Sequence, residues 1–245
     1  MIFRLCAVEL LKIRRSLVLL MTLACPLAVV LLVFAMNLRR ASPETMTPER
    51  WAMLWMSVSA MWSWFMLPLY VALSTSLING NEHRNQTWRL MLSLPIARAE
   101  LFAAKAMVAI LLMLGAHLAM LACTALAIGA LGALGYPLEG AFRIGSTSML
   151  WAAPVAALPM LALQHAISWR IRSIVPPLAV AVVATFAAIQ IGSSEYWPWL
   201  PWTYPLVATN ATAEASRGDA LLLAVALAAL LFPLSAWWLG RREVV

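Results

Sequence analysis

A chain of 245 residues in which 64% are hydrophobic and 11% charged cannot cover a globular surface with polar groups, which excludes an ordinary soluble domain. The apolar runs are continuous rather than alternating, so the expectation is an all-α polytopic membrane protein of spanning helices, not barrel strands. The net charge of +7 is read from where lysine and arginine fall around those runs; it points to membrane lipids as partners and gives no reason to expect nucleic acid.

The chain opens with an amphipathic segment, residues 3–15. At about 100° per residue, Phe3, Cys6, Ala7, Leu10 and Ile13 share one face, and Arg4, Glu9, Lys12 and Arg15 another. This predicts an interfacial elbow helix lying along the membrane surface; a plain extension of the first span with basic flanks is the alternative. Six runs then reach the roughly 17–25 residues that a span needs: 16–36, 51–78, 106–131, 146–169, 174–191 and 221–239. The apolar core of the first is too long for a cleaved leader and no clear small-x-small cleavage site follows it, so it is read as a retained anchor. The second exceeds a bilayer's thickness, and Pro68 is expected to kink it; Pro154 and Pro159 are expected to kink the fourth. Arg39, Arg40, Arg50, Arg143 and Arg217 fall on one side, and the other twelve of the seventeen lysines and arginines share the side of the N-terminus. The positive-inside rule therefore makes both termini cytosolic.

The second run is rich in methionine and tryptophan. Trp55, Met61, Trp62 and Met66, together with Gln190 in the fifth run, are the candidates for lining a substrate path. Ordinary packing and lipid contact is the competing reading of the same residues. Between the second and third runs, residues 79–105 form the one long polar interruption, expected on the cytosolic side. Asn85 can cap a short helix over 86–94, which Pro95 ends, and Trp88, Met91 and Leu92 share one side with Arg89 at its edge. Flanked by Glu82, Arg84 and Arg98, this is either a docking knob for a soluble partner or an interfacial aromatic with topology-setting arginines; composition does not separate the two. Residues 192–220 are expected outside. There Tyr196, Trp197, Trp199, Trp202 and Tyr204 alternate with Pro198, Pro201 and Pro205, the pattern of an aromatic belt or a shallow re-entrant element.

Chemistry of other kinds finds no residues to carry it. The only lysines, Lys12 and Lys105, stand in no phosphate-cradling glycine loop, and neither an H-E-x-x-H nor a G-x-S-x-G motif occurs. No catalytic residue, cofactor or metal site is expected in this chain. Cys6, Cys25 and Cys123 lie in apolar surroundings without disulfide or metal spacing. The six runs contain no Asp, Glu, Lys or Arg, so ion coupling has no visible machinery; His117, Gln164 and His165 are read as hydrogen-bonding partners between helices.

The run GNEHRNQTWRLMLSLPIARAELFAAK resembles the loop of permease subunits of type-2 ABC exporters. The form with Glu82, Asn85, Thr87 and Trp88 is most similar to the lantibiotic-immunity and bacitracin-resistance permeases. The resemblance implies a single transmembrane domain over 1–245, with an elbow helix, six spans and a hairpin-like insertion before the last. It implies that 79–105 is a coupling helix docking on a separate ATPase subunit through Glu82, Asn85, Thr87, Trp88, Leu94, Pro95, Arg98 and Lys105, with Arg84 and Arg89 beside them. Two ATPase copies would bind ATP and Mg, and a second permease copy, identical or homologous, would complete a path walled by spans two and five. The function so implied is export of an amphipathic, peptide-like or lipid-like substrate across a bacterial cytoplasmic membrane. The alternative is a membrane scaffold or sensor whose cytosolic loop binds a soluble partner.

Overall fold

Residues 2–14, 16–39, 42–84, 97–143, 151–210 and 214–240 are described by the structure, a computed structural model of the chain, and their regular elements are all helical. The N-terminal helix α1 (Ile2–Ile13) is followed by α2 (Leu17–Leu38), the first long apolar helix. The second apolar run forms a nearly unbroken rod: α3 (Pro48–Met61), a π-turn at Trp62–Met66, and α4 (Leu67–Arg84). Thr47 starts this rod by accepting a hydrogen bond from the Arg50 amide at 3.4 Å, with Pro48 in the first turn where its missing N–H costs nothing. The flaw in the rod follows from Pro68. It has no N–H to give the carbonyl of Trp64, and the Leu67 amide bonds Trp62 O, five residues back, so the expected kink takes the form of one widened turn.

Helix α5 (Arg98–Ala133) is 36 residues long, roughly 54 Å at the usual rise per residue. It begins eight residues before the run expected to span, because the alanines, leucine and glutamate after Arg98 propagate a helix without a break. The next apolar run is split at Ala157 into α6 (Ala152–Ala156) and α7 (Leu158–Arg170), since Pro159 cannot donate to the carbonyl of Val155. Helix α8 (Val175–Ile191) follows, then two 3-10 turns (Trp197–Trp199 and Pro201–Thr203), the short α9 (Tyr204–Thr209) and α10 (Glu214–Gly240). Among the described residues four helices are long and apolar enough to cross a membrane: 17–37, 48–80, 98–133 and 215–239. The two other runs expected to span appear as the broken α6–α7 pair and as α8, which has 17 residues.

Helix α5 lies against α1, α2 and α4. It runs antiparallel to α4, because Lys105 Nζ reaches Ile78 O at 3.3 Å while Tyr70 OH reaches Leu112 O at 3.1 Å. The Tyr70 hydroxyl also lies 2.8 Å from Thr22 Oγ1 on α2, so three helices share one polar knot. The other face of α4 packs on α7 and α8. Lipid-like exposure is left to Leu20, Leu23 and Leu31 on α2 and to Leu222 and Leu230 on α10.

The end of the bundle opposite Arg84 and Ala97 is closed by two devices. The indoles of Trp51 and Trp55 donate to Pro137 O at 3.1 Å and Ala141 O at 2.9 Å, clamping α3 to the turn after α5. Gly140 in that turn has φ +72°, and a Cβ there would stand 2.7 Å from Pro48 Cβ. The second device is α9, whose Tyr204–Ala208 are all buried among α6, α10 and the π-turn. Thr209 Oγ1 ties it to Ser63 Oγ at 2.8 Å and accepts from Trp64 Nε1 at 3.2 Å. Of the aromatic and proline series, Tyr196 and Trp199 are exposed, whereas Trp202 and Tyr204 are buried, so the later part of the segment is inserted into the bundle.

Candidate coupling site at the end of the bundle flanked by Arg84 and Ala97

The polar interruption leaves α4 at Arg84 and re-enters helix at Arg98, and just inside these two points lies the densest polar cluster of the described residues. Its centre is Glu9. The helical wheel places this residue on the charged face of α1, yet only 3% of it is exposed. The face of α1 that is buried carries Cys6, Glu9 and Ile13, and Phe3 and Leu11 point away from the bundle. The cause is Lys105. Seven residues into α5, its ammonium is fully buried and lies 2.6 Å from Glu9 Oε2, while Lys12 holds Oε1 at 2.6 Å. A carboxylate between two ammonium groups is stable where a lone one is not, so α1 turns its acid inward. Cys6 Sγ, 3.7 Å from Ala104 O and 3.6 Å from Met107 Sδ, follows it onto α5.

Electrostatics at Glu9 are a contest. Burial pushes its carboxyl up, but the charge and hydrogen bond of Lys105, then those of Lys12, outweigh it and hold the group below the ordinary 4.5. The same Lys105 ammonium donates to Ile78 O at 3.3 Å, so one side chain joins α1, α4 and α5.

One residue beyond Ile78, Asn79 continues the network. Its Nδ2 donates to Ser168 Oγ at 2.7 Å and lies 3.1 Å from His165 Nδ1. With Nδ1 accepting, the imidazole carries its proton on Nε2, which faces Phe102 O at 3.2 Å. The Phe102 ring packs on His165 and Trp169, with centroids 4.4 and 5.3 Å apart, and the Arg170 guanidinium lies 5.0 Å over the Trp238 ring. Helices α1, α4, α5, α7 and α10 are thus fixed to one another at the roots of the polar interruption.

Of the residues expected to dock a partner, Asn85, Thr87, Trp88, Arg89, Leu94 and Pro95 lie outside the described residues. Glu82 and Arg84 belong to the last turn of α4, and Arg98 opens α5 half-buried. Lys105 is placed inside the bundle, bound to Glu9, so it presents no surface for another chain. Sequence reasoning did not group Glu9 and Ser168 with this site, and within 79–105 it gave Asn79 and Phe102 no role. One signal was there: among two lysines, one sits beside the third apolar run, and the only acid before the first run is Glu9.

The five candidates for a substrate path separate. Trp55 and Trp62 are turned into the bundle; Trp55 serves the clamp on Ala141, and Trp62 stacks 6.2 Å from Tyr70. Met61 and Met66 are half-buried, and Gln190 is exposed on α8. Methionine exposure on this rod is greatest at Met53 and Met56, near its start.

Among curated proteins none matches this sequence. The sequence pattern of the family described as ABC-2 family transporter protein does match, over residues 5–188. That span is three quarters of the 245 residues and takes in the elements from α1 through most of α8, including all of α4, α5 and the polar interruption between them. A membrane bundle of apolar helices, gathered at one end on a buried ion pair and matched over that length, belongs to the ABC-2 family of transporter proteins, the permeases of ABC transporters.

Proposed function

We propose that this chain is the permease subunit of an ATP-driven exporter of amphipathic substrates, peptide-like or lipid-like, of the kind handled by lantibiotic-immunity and bacitracin-resistance permeases. Permeases of this family work with a separate ATPase, and the reading here is that two such subunits dock on 79–105 of two permease copies. ATP and Mg belong to those subunits. In this reading the chain has six spans, with α6–α7 and α8 as the fourth and fifth and α1 as an interfacial elbow, and both termini and the docking segment face the cytosol of a bacterial cell. Two permease copies would face each other across spans two and five, where Met61, Met66 and Gln190 remain accessible to an amphipathic substrate.

The observation that carries this reading is the Glu9–Lys105–Ile78 junction. A loop that is to transmit force needs stiff roots, and here the helix that leads into it and the helix that leaves it are bonded to each other and to α1 through one buried ammonium. Lys105 is in this reading a positioning residue for the loop, and Glu82, Arg84, Asn85, Thr87, Trp88, Arg89, Leu94, Pro95 and Arg98 form the docking surface itself. The decisive experiment is purification of the tagged chain from its host membrane. An exporter brings down a soluble subunit whose ATP hydrolysis is stimulated by amphipathic peptide in liposomes. Recovery of a stoichiometric partner without nucleotide hydrolysis would instead make the chain a scaffold or sensor.

A further inference from the structure

The face along which α4 and α7 meet contains four buried polar atoms with no protein partner: Ser76 Oγ, Asn79 Oδ1, and both Oε1 and Nε2 of Gln164. All three residues are at least nine-tenths buried, and Gln164 is at 0% exposure. Their register is set by printed contacts. Asn79 meets Ser168 and His165, so α4 and α7 touch there. At the other end the elements that lead into these two helices both meet α9, the π-turn before α4 through Ser63, Trp64 and Thr209 and α6 before α7 through packing, so α4 and α7 run parallel. Ser76 is one turn before Asn79, and Gln164 is one turn before Ser168. Stepping back from the Asn79–Ser168 contact by one turn, roughly 5 Å, therefore brings Ser76 and Gln164 to the same level of the same seam.

In an apolar surrounding each unpartnered group costs several kcal/mol, so four in one seam are not left bare. The mixture of atoms decides what satisfies them. Gln164 Nε2 is a donor and needs an acceptor, whereas the two amide oxygens need donors and the hydroxyl takes either. A cation would satisfy only the oxygens and would face the Lys105 ammonium, which is bonded at Ile78 beside Asn79. Ser76, Asn79 and Gln164 are 6%, 0% and 0% exposed, so a bulky substrate would meet almost none of their surface. Water both donates and accepts, and a buried water is held by two to four polar partners, which these residues supply.

We infer that the α4–α7 seam is a hydration site, holding ordered water between Ser76, Asn79 and Gln164. Its consequence is mechanical. A contact made through water exchanges hydrogen-bond partners without stripping any group bare, so α7, which joins α6 at the turn of Ala157, can shift along α4 at low cost. Helix α4 continues from this seam to Arg84, so the seam is the place where a displacement of the end of α4 is absorbed or passed on.

Hydroxyl-radical footprinting of the full chain in lipid nanodiscs tests this, because radicals made from water oxidise a buried side chain only where water is resident. Met160, one turn before Gln164, and His165 should be oxidised although both are at 0% exposure, whereas Met113, equally buried on α5, should stay unmodified. Gln164→Leu should abolish the oxidation of Met160 and His165 and leave that of the exposed Met53 unchanged. If Met160 and His165 in the wild type are as silent as Met113, the seam is dry and the inference is overturned. Oxidation unaffected by Gln164→Leu overturns it equally, since the water then lies elsewhere. Should Gln164→Leu not fold, Ser76→Ala gives the second variant, with reduced oxidation expected, and the wild-type comparison decides alone.

Discussion

Replacing Lys105 by methionine keeps the length and apolar stem of the side chain and deletes one charge from a junction of three helices. Glu9 would then be 3% exposed and left with Lys12, whose side chain is 33% exposed and can follow the carboxylate only from the solvent side. Breaking a buried pair by removing one partner costs about 3–5 kcal/mol. Because Lys12 still holds Oε1, the lower end, about 3 kcal/mol, is expected here. At about 2–4 °C per kcal/mol for a chain of this size, that corresponds to a fall of about 6–12 °C in Tm. Glu9→Gln with Lys105→Met removes both charges and should recover at least half of the loss, since no unpaired charge stays behind. The assay is fluorescence-detected thermal unfolding of the wild type, both single variants and the double in nanodiscs. A Tm for Lys105→Met within a degree or so of wild type, or a double variant as unstable as the two singles added, would refute the reasoning. The pH dependence carries a sign. Glu9 is held below 4.5 in the fold, so its stabilisation is fully present above 4.5 and is lost as pH falls through the lowered value. The gap between wild type and Glu9→Gln should therefore be constant near neutrality and close only in acid.

Single cysteines at Asn85 and Ser173 should resist an impermeant thiol reagent in intact cells, and those at Thr47 and Ala213 should react; labelling at Asn85 from outside reverses the topology. Glu82→Arg and Trp88→Ala should leave the protein in the membrane but reduce recovery of the ATPase subunit, each by roughly 2 kcal/mol of docking energy; pull-down yield against wild type reads this, and undiminished yield with undiminished peptide-stimulated hydrolysis counts against a docking role. Gly140→Ala should lower stability by about 1 kcal/mol or more, because φ is +72° and the new Cβ meets Pro48 at 2.7 Å, whereas Gly129→Ala, with open space around it, should not; thermal unfolding distinguishes them.

Much of the bundle was legible because lipid leaves the backbone so few options. Apolar run length located α2 and α8 closely and the middles of the second-span rod and of α10, whose helices run on to Arg84 and back to Glu214; Pro68 and Pro159 marked where regular helix fails, whereas Pro154 sits within α6. What they could not convey was the form of the failure: a π-turn at Trp62–Met66, which keeps the rod going, against a break at Ala157, which does not. The docking segment seemed to run to Lys105 because charge usually means water, and no local rule registers an acid 96 residues earlier that pulls the lysine inside. Glu9 was turned outward on the wheel for the same reason. The tryptophans of the second run could not be divided by composition: Trp51 and Trp55 are spoken for by two carbonyls of a turn that periodicity along one helix cannot see. His165 does join neighbouring helices as expected, but Gln164, read in the same way, has no protein partner at either amide atom.

The 96 residues between Glu9 and Lys105 also impose an order on assembly. At roughly 5–20 residues added per second, some 5–20 seconds pass between synthesis of the acid and synthesis of its partner. Throughout that interval a carboxylate destined for a dry junction has only Lys12 to answer it, and the cheapest place to wait is where water still reaches it. Helix α1 therefore completes its packing only once the head of α5 has been made. Its last step, folding the acid inward, then doubles as a check that the third long helix has arrived in the correct register.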